Sequence, residues 1–151
     1  MRECQMRVIQ KLQDFPFVTL PTGLTLLRIA TALLFAAHAI VRIANGTIPQ
    51  FGKFMNSLGF PAGAAWVWAI TITEIVAALM LITNRCVRPA VTALFLIAFT
   101  GIILIHRHFG WFVGEHGTGG AEYSVALIMI LLVIAAADRQ AQLGRSGRLG
   151  P

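Results

Sequence analysis

Residues 24–44 read L24-T-L-L-R28-I-A-T-A-L-L-F-A-A-H38-A-I-V-R42-I-A44, an apolar run broken by two arginines and one histidine. About 20 apolar residues carry an α-helix across a ~30 Å hydrocarbon core, and this run meets that length. Three more runs follow, at 62–83, 89–105 and 123–137. The 151-residue chain is 57% hydrophobic, with a mean hydropathy of +0.76. That is too apolar for a soluble domain of this size. Within lipid every backbone polar group must be satisfied internally, and no segment alternates like a barrel strand, so the spans are helices. The expected fold is all-α: an antiparallel four-helix transmembrane bundle in one domain, residues 23–138. A short amphipathic segment lies in the interface before it (residues 1–22), and a disordered basic tail follows (residues 139–151).

Charge distribution orients the bundle. Four spans put both termini on one side, with Arg2, Arg7, Lys11, Arg85, Arg88, Arg139, Arg145 and Arg148; the other side has Arg42, Lys53 and Arg107. The positive-inside rule then places both termini in the cytoplasm, and in a bacterium the chain sits in the inner membrane. The net charge of +6 faces lipid headgroups. It forms no aromatic-interleaved patch of the kind that binds nucleic acid. Cys4 and Cys86 fall on the cytoplasmic side without a C-x-x-C motif, which argues against thiol catalysis.

Inside the runs sit residues that lipid tolerates poorly. Arg28, Thr31, Phe35, His38 and Arg42 recur every three or four positions and share one helical stripe, expected to face inward. Arg28 lies shallow enough to snorkel to headgroups, and Arg42 is expected at the interface. His38 has no such stem and either bonds a neighbouring carbonyl or acts in a site. Glu74 lies about 18 Å into the second run, so it must take up a proton or find a cation; Arg28 is the first partner to consider. Ala65, Ala69, Thr73 and Ala77 offer a small-residue ridge for close helix approach.

The third run ends at His106, a Gly-rich loop follows, and Glu122-Tyr123 opens the last run. Those glycines could let the loop fold over as a lid. The expected polar pocket thus comprises Arg28, His38, Glu74, His106, Glu122 and Tyr123, walled by Phe35, Phe99 and Trp111. The H-R-H triplet directs its rings apart on a helix and no H-x-x-x-H exists, so no metal site is expected. Residues 45–61, with Phe51, Phe54, Met55 and Phe60, are expected to lie over the outer end as an amphipathic cap.

In their order, these pieces resemble the DoxX family of small four-span bacterial membrane proteins. The resemblance rests on Leu27-Arg28 with Leu34-Phe35-Ala36-Ala37-His38, on Phe51-Gly52 and Leu58-Gly59-Phe60-Pro61, on Glu74 ahead of Leu79-Met80-Leu81-Ile82 and Arg85, on His106 with Gly110-Trp111-Phe112, and on Gly119-Gly120-Ala121-Glu122-Tyr123. Ala77-Ala78 and Ala39 stand where the family often has glycine. The resemblance implies a redox-associated protein, since related proteins form the membrane part of a thiosulfate:quinone oxidoreductase and others join oxidative-stress complexes. It implies membrane redox partners and a quinone or small-molecule pocket between helices near the outer leaflet; haem or a metal ranks behind quinone as cofactor. Two other readings stand beside it. One is a non-catalytic membrane scaffold for partner proteins. The other is a small homo-oligomeric transporter using Glu74 and Arg28 as a proton or substrate relay.

Overall fold

A computed structural model of the chain describes residues 17–113 and 119–146. Four long apolar helices form the bundle: α1 (Leu20–Ala44), α3 (Gly63–Ile82), α4 (Val87–Leu104) and α5 (Glu122–Ser146), with the short α2 (Ile48–Ser57) between the first two. A 3-10 turn, His106–Phe109, follows α4, and the described residues contain no strand. Each long helix is long and apolar enough to cross a membrane. The protein is a multi-pass membrane protein.

Local sequence sets the helix ends. Thr19 caps α1, its Oγ1 accepting from the Thr22 amide, and Pro21 occupies the first turn, where no amide donor is needed. The helix therefore starts four residues before the apolar run. α5 overruns the expected boundary at residue 137 and continues to Ser146. Residues 139–146 are thus helical, a departure from the expected disordered tail. Ala, Gln, Arg and Leu favour helix there, and Gln142 Nε2 donates to Asp138 Oδ2 one turn earlier at 2.8 Å. The expected interfacial segment falls mostly outside the described residues, as do residues 147–151.

The core is built from small and medium side chains: Ala32, Ala77, Ala78 and Ala90 with Leu81, Leu94 and Leu131. Lipid does not drive helices together by hydrophobicity, so close packing of small residues must do it. Many other large apolar side chains face outward; Leu33 is 56% and Leu132 48% exposed. On α3 the buried stripe runs through Gly63, Val67, Thr71, Glu74, Ala78 and Leu81. The expected ridge is therefore displaced. Ala77 is buried, but Ala65 and Ala69 are exposed, because α3 turns its Thr71–Glu74 face inward.

α2 is the expected amphipathic cap. Ile48 and Met55 pack with Val67 in a small separate cluster. Gly52 and Gly63 are where α2 and α3 touch: a Cβ on Gly63 would fall 2.1 Å from the Gly52 carbonyl oxygen. Only hydrogen fits. Asn56 Oδ1 accepts from the Gly63 amide at 2.7 Å, meeting one of the free donors at the start of α3.

Candidate functional site

The buried face of α1 centres on Thr31, Ala32, Phe35 and Ala39, which brings Arg42 to the side facing α3. Arg42 Nη1 lies 2.7 Å from Glu74 Oε2, with side-chain exposures of 15% and 4%. The same nitrogen donates to Thr71 Oγ1 at 2.7 Å, and the Thr71 hydroxyl in turn donates a hydrogen bond to the Val67 carbonyl. The Arg42 guanidinium carbon also sits 5.8 Å from the centre of the Phe51 ring on α2. A buried carboxylate thus has a cation, and the cation has an acceptor and an aromatic face.

This corrects the expected partner of Glu74. Arg28 lies toward the opposite end, where its Nη1 donates to Asn84 Oδ1 in the α3–α4 turn. Axial rise explains the switch. From Arg28 to Ala44, α1 climbs about 24 Å, whereas the full length of α3 spans about 30 Å. Since Asn84 lies just beyond α3 and meets Arg28, α3 must begin farther out than α1 ends. Glu74 is thereby lifted into reach of Arg42, whose guanidinium turns into the bundle.

A cleft of about 480 Å³ adjoins the ion pair and is lined by all four long helices and α2. It lies within the range of small-molecule sites. Its polar groups are few: Arg42, Glu74, His38, His106, Tyr123 and the hydroxyls of Thr100 and Ser124. Phe35, Phe51, Phe60 and Trp66 contribute aromatic walls. His38 and Tyr123 face each other across the α1–α5 side, with ring centroids 6.4 Å apart. Among the described residues, His106 Nδ1 is enclosed without a hydrogen-bond partner. The ring packs near Gly101 on α4, where an added Cβ would stand in ordinary contact, 3.8 Å from His106 Cδ2. A buried polar nitrogen with nothing to bond is costly unless something else meets it.

The model of the DoxX family matches residues 23–107. The chain belongs to the DoxX family. No curated protein and no solved structure matches it. Arg28, His38, Arg42, Glu74 and His106 all fall within the stretch shared with DoxX; Glu122 and Tyr123 lie beyond it.

In this DoxX chain the structure brings His38, Glu74, His106, Tyr123 and Phe35 to one cleft and leaves the other expected residues elsewhere. Arg28 lines a separate cavity. Glu122 is turned to the loop before α5, its Oε1 accepting from the Val113 amide at 2.9 Å. Its own amide and that of Ala121 donate to the carbonyls of Trp111 and Gly110. Gly120 makes this closeness possible, since a Cβ there would lie 2.3 Å from the Trp111 carbonyl oxygen. Trp111 is exposed and Phe99 stacks on Phe95 along α4, so neither walls the cleft. Sequence reasoning missed Arg42 as the partner of Glu74, and Trp66 and Thr71 as neighbours of the site. The i, i+3 spacing of Thr71 and Glu74 was the available signal. Among the described residues no group of His, Cys, Asp and Glu is arranged to hold a metal. The lid idea falls largely on residues 114–118, outside the described set.

Proposed function

We propose that this DoxX protein is a redox-associated membrane component whose inter-helical cleft binds a quinone-type ring. The observation that carries the reading is an apolar, aromatic-walled cleft holding few polar groups, among them an enclosed His106 nitrogen without a partner among the described residues. A quinone head needs flat apolar walls and a hydrogen-bond donor at each carbonyl. Phe35 and Trp66 offer the walls; His106 and His38 offer donors from α4 and α1. The Arg42–Glu74 pair lies at the cleft wall, where a carboxylate and a guanidinium can fix a polar edge. Reducing such a ring consumes two electrons and two protons, and the electrons would come from a partner redox protein in the same membrane. The basic bias of the chain supports cytoplasmic termini and a cleft in the outer half of a bacterial inner membrane.

A short-chain ubiquinone analogue titrated into the full-length protein in nanodiscs tests this. Trp66 lines the cleft, whereas Trp68 and Trp111 do not. Saturable quenching of tryptophan fluorescence, removed by Trp66→Phe, is expected. His106→Ala should weaken binding about tenfold, the worth of one hydrogen bond to a buried group. Quenching that rises linearly and ignores both substitutions would reject the reading.

A second reading is favoured by the ion pair itself. Buried charges that bond each other can act only as a lock between α1 and α3, as a scaffold would need. Replacing both with apolar residues separates the two: a lock tolerates the change, whereas a site loses its ligand.

A further inference from the structure

At the opposite end of the bundle from the cleft lies a second cavity of about 260 Å³. It occupies the seam between α1 and α5, closed below α3 by the turn at Asn84. α1 packs less extensively on α5 than on α3, so the seam leaves space that the other helix contacts do not. The lining is strongly polar for a membrane protein: Arg28, Asn84, Asp138, Gln142 and Arg145.

Its charges do not cancel. Asp138 is engaged by Arg88 from the rim, with Nε and Oδ2 3.4 Å apart, and by Gln142. Among the described residues neither Arg28 nor Arg145 forms an ion pair. Arg28 is held in place by Asn84, yet its Nε is enclosed with no partner among the described residues. The guanidinium is therefore positioned with hydrogen-bonding capacity unspent. Asn84 itself sits at φ 56°, a left-handed conformation that asparagine tolerates, and this turns the residue at the α3–α4 corner. Leu24, Val87 and Ile134 add apolar surface beside the arginines.

We propose that this cavity binds a phosphate group, that of an anionic membrane lipid whose headgroup enters the α1–α5 seam. Arginine forks match phosphate oxygens, and basic pockets between spans suit anionic headgroups. The apolar wall beside Arg28 matches the acylated part of a lipid, and inorganic phosphate has no use for it.

The test uses full-length protein in phosphatidylcholine nanodiscs containing phosphatidylglycerol, released into detergent and weighed by native mass spectrometry. One retained phosphatidylglycerol per chain is expected, in preference to phosphatidylcholine. Arg28→Gln and Arg145→Gln should each lower retention about fivefold, the worth of one basic side chain near an anionic surface. Asp138→Asn should raise it. Arg145 lies in the last turn of α5, so Arg145→Gln tests the site even if Arg28→Gln fails to fold. Displacement of the lipid by inorganic phosphate would keep the phosphate site but overturn its assignment to a lipid. Equal retention of both lipids, unchanged by Arg145→Gln and Asp138→Asn, would overturn the site altogether.

Discussion

Removing either member of the Arg42–Glu74 pair should destabilise the bundle far more than removing both. The pair lies 2.7 Å apart with Glu74 4% and Arg42 15% exposed, so the carboxylate above all has little water to fall back on. Breaking a buried pair from one side costs about 3–5 kcal/mol, because the remaining charge is left without compensation. A neutral hydrogen bond between membrane helices averages only about 0.6 kcal/mol and reaches about 1.7. Arg42→Met and Glu74→Gln are therefore each expected to cost about 3–5 kcal/mol, and Thr71→Val no more than about 1.7 kcal/mol. The double variant Arg42→Met/Glu74→Leu should return to within about 1 kcal/mol of the parent, or exceed it, because apolar replacement of a buried pair is often neutral or stabilising. The assay is equilibrium unfolding in mixed micelles titrated with dodecyl sulfate, followed by helical circular dichroism. Two results would refute the reasoning. Single variants costing under about 1 kcal/mol would show the pair to be solvated in the membrane. A double variant whose loss equals the sum of the singles would show that the residues do not interact.

Three further predictions rest on the backbone. Gly63→Ala should separate α2 from α3, because the added Cβ would lie 2.1 Å from a carbonyl oxygen that has no flexible way to retreat; a loss of about 1–3 kcal/mol in the same unfolding assay is expected. Gly120→Ala should expel the Gly110–Val113 segment from the start of α5, read as faster hydrogen exchange at the Ala121 and Glu122 amides, whose acceptors are Gly110 and Trp111. Ala62 precedes α3 at φ 56°, where a side chain is strained, so Ala62→Gly should stabilise the protein by about 0.5–1 kcal/mol.

The bundle was legible because length and hydropathy alone decide a membrane span, and four runs carry that signal without help from packing. The family was legible too, since its short motifs keep their order along the chain. Partner choice was not. Placing Glu74 beside Arg28 assumed that helices begin and end level at the membrane boundary, whereas α2 lets α3 start beyond the end of α1. A shift of a few residues in axial register decides which arginine a carboxylate meets, and composition does not encode it. The same limit hid the role of Glu122. Its position next to Tyr123 suggested a shared pocket, but consecutive helix residues point about 100° apart, so Tyr123 reaches the cleft while Glu122 turns to the loop. The overrun of α5 follows helix-favouring residues past the end of the apolar run, which hydropathy does not register, and Asp138 there meets Arg88 of another helix.

Photolabelling tests the central claim most directly. A photoreactive quinone analogue, applied to the full-length protein in a bilayer and mapped by peptide mass spectrometry, should mark residues around His38, Ile97, His106 and Tyr123, and excess unlabelled quinone should suppress the marks. Labels scattered over lipid-facing positions such as Leu33 and Leu132, with no competition from unlabelled quinone, would contradict it.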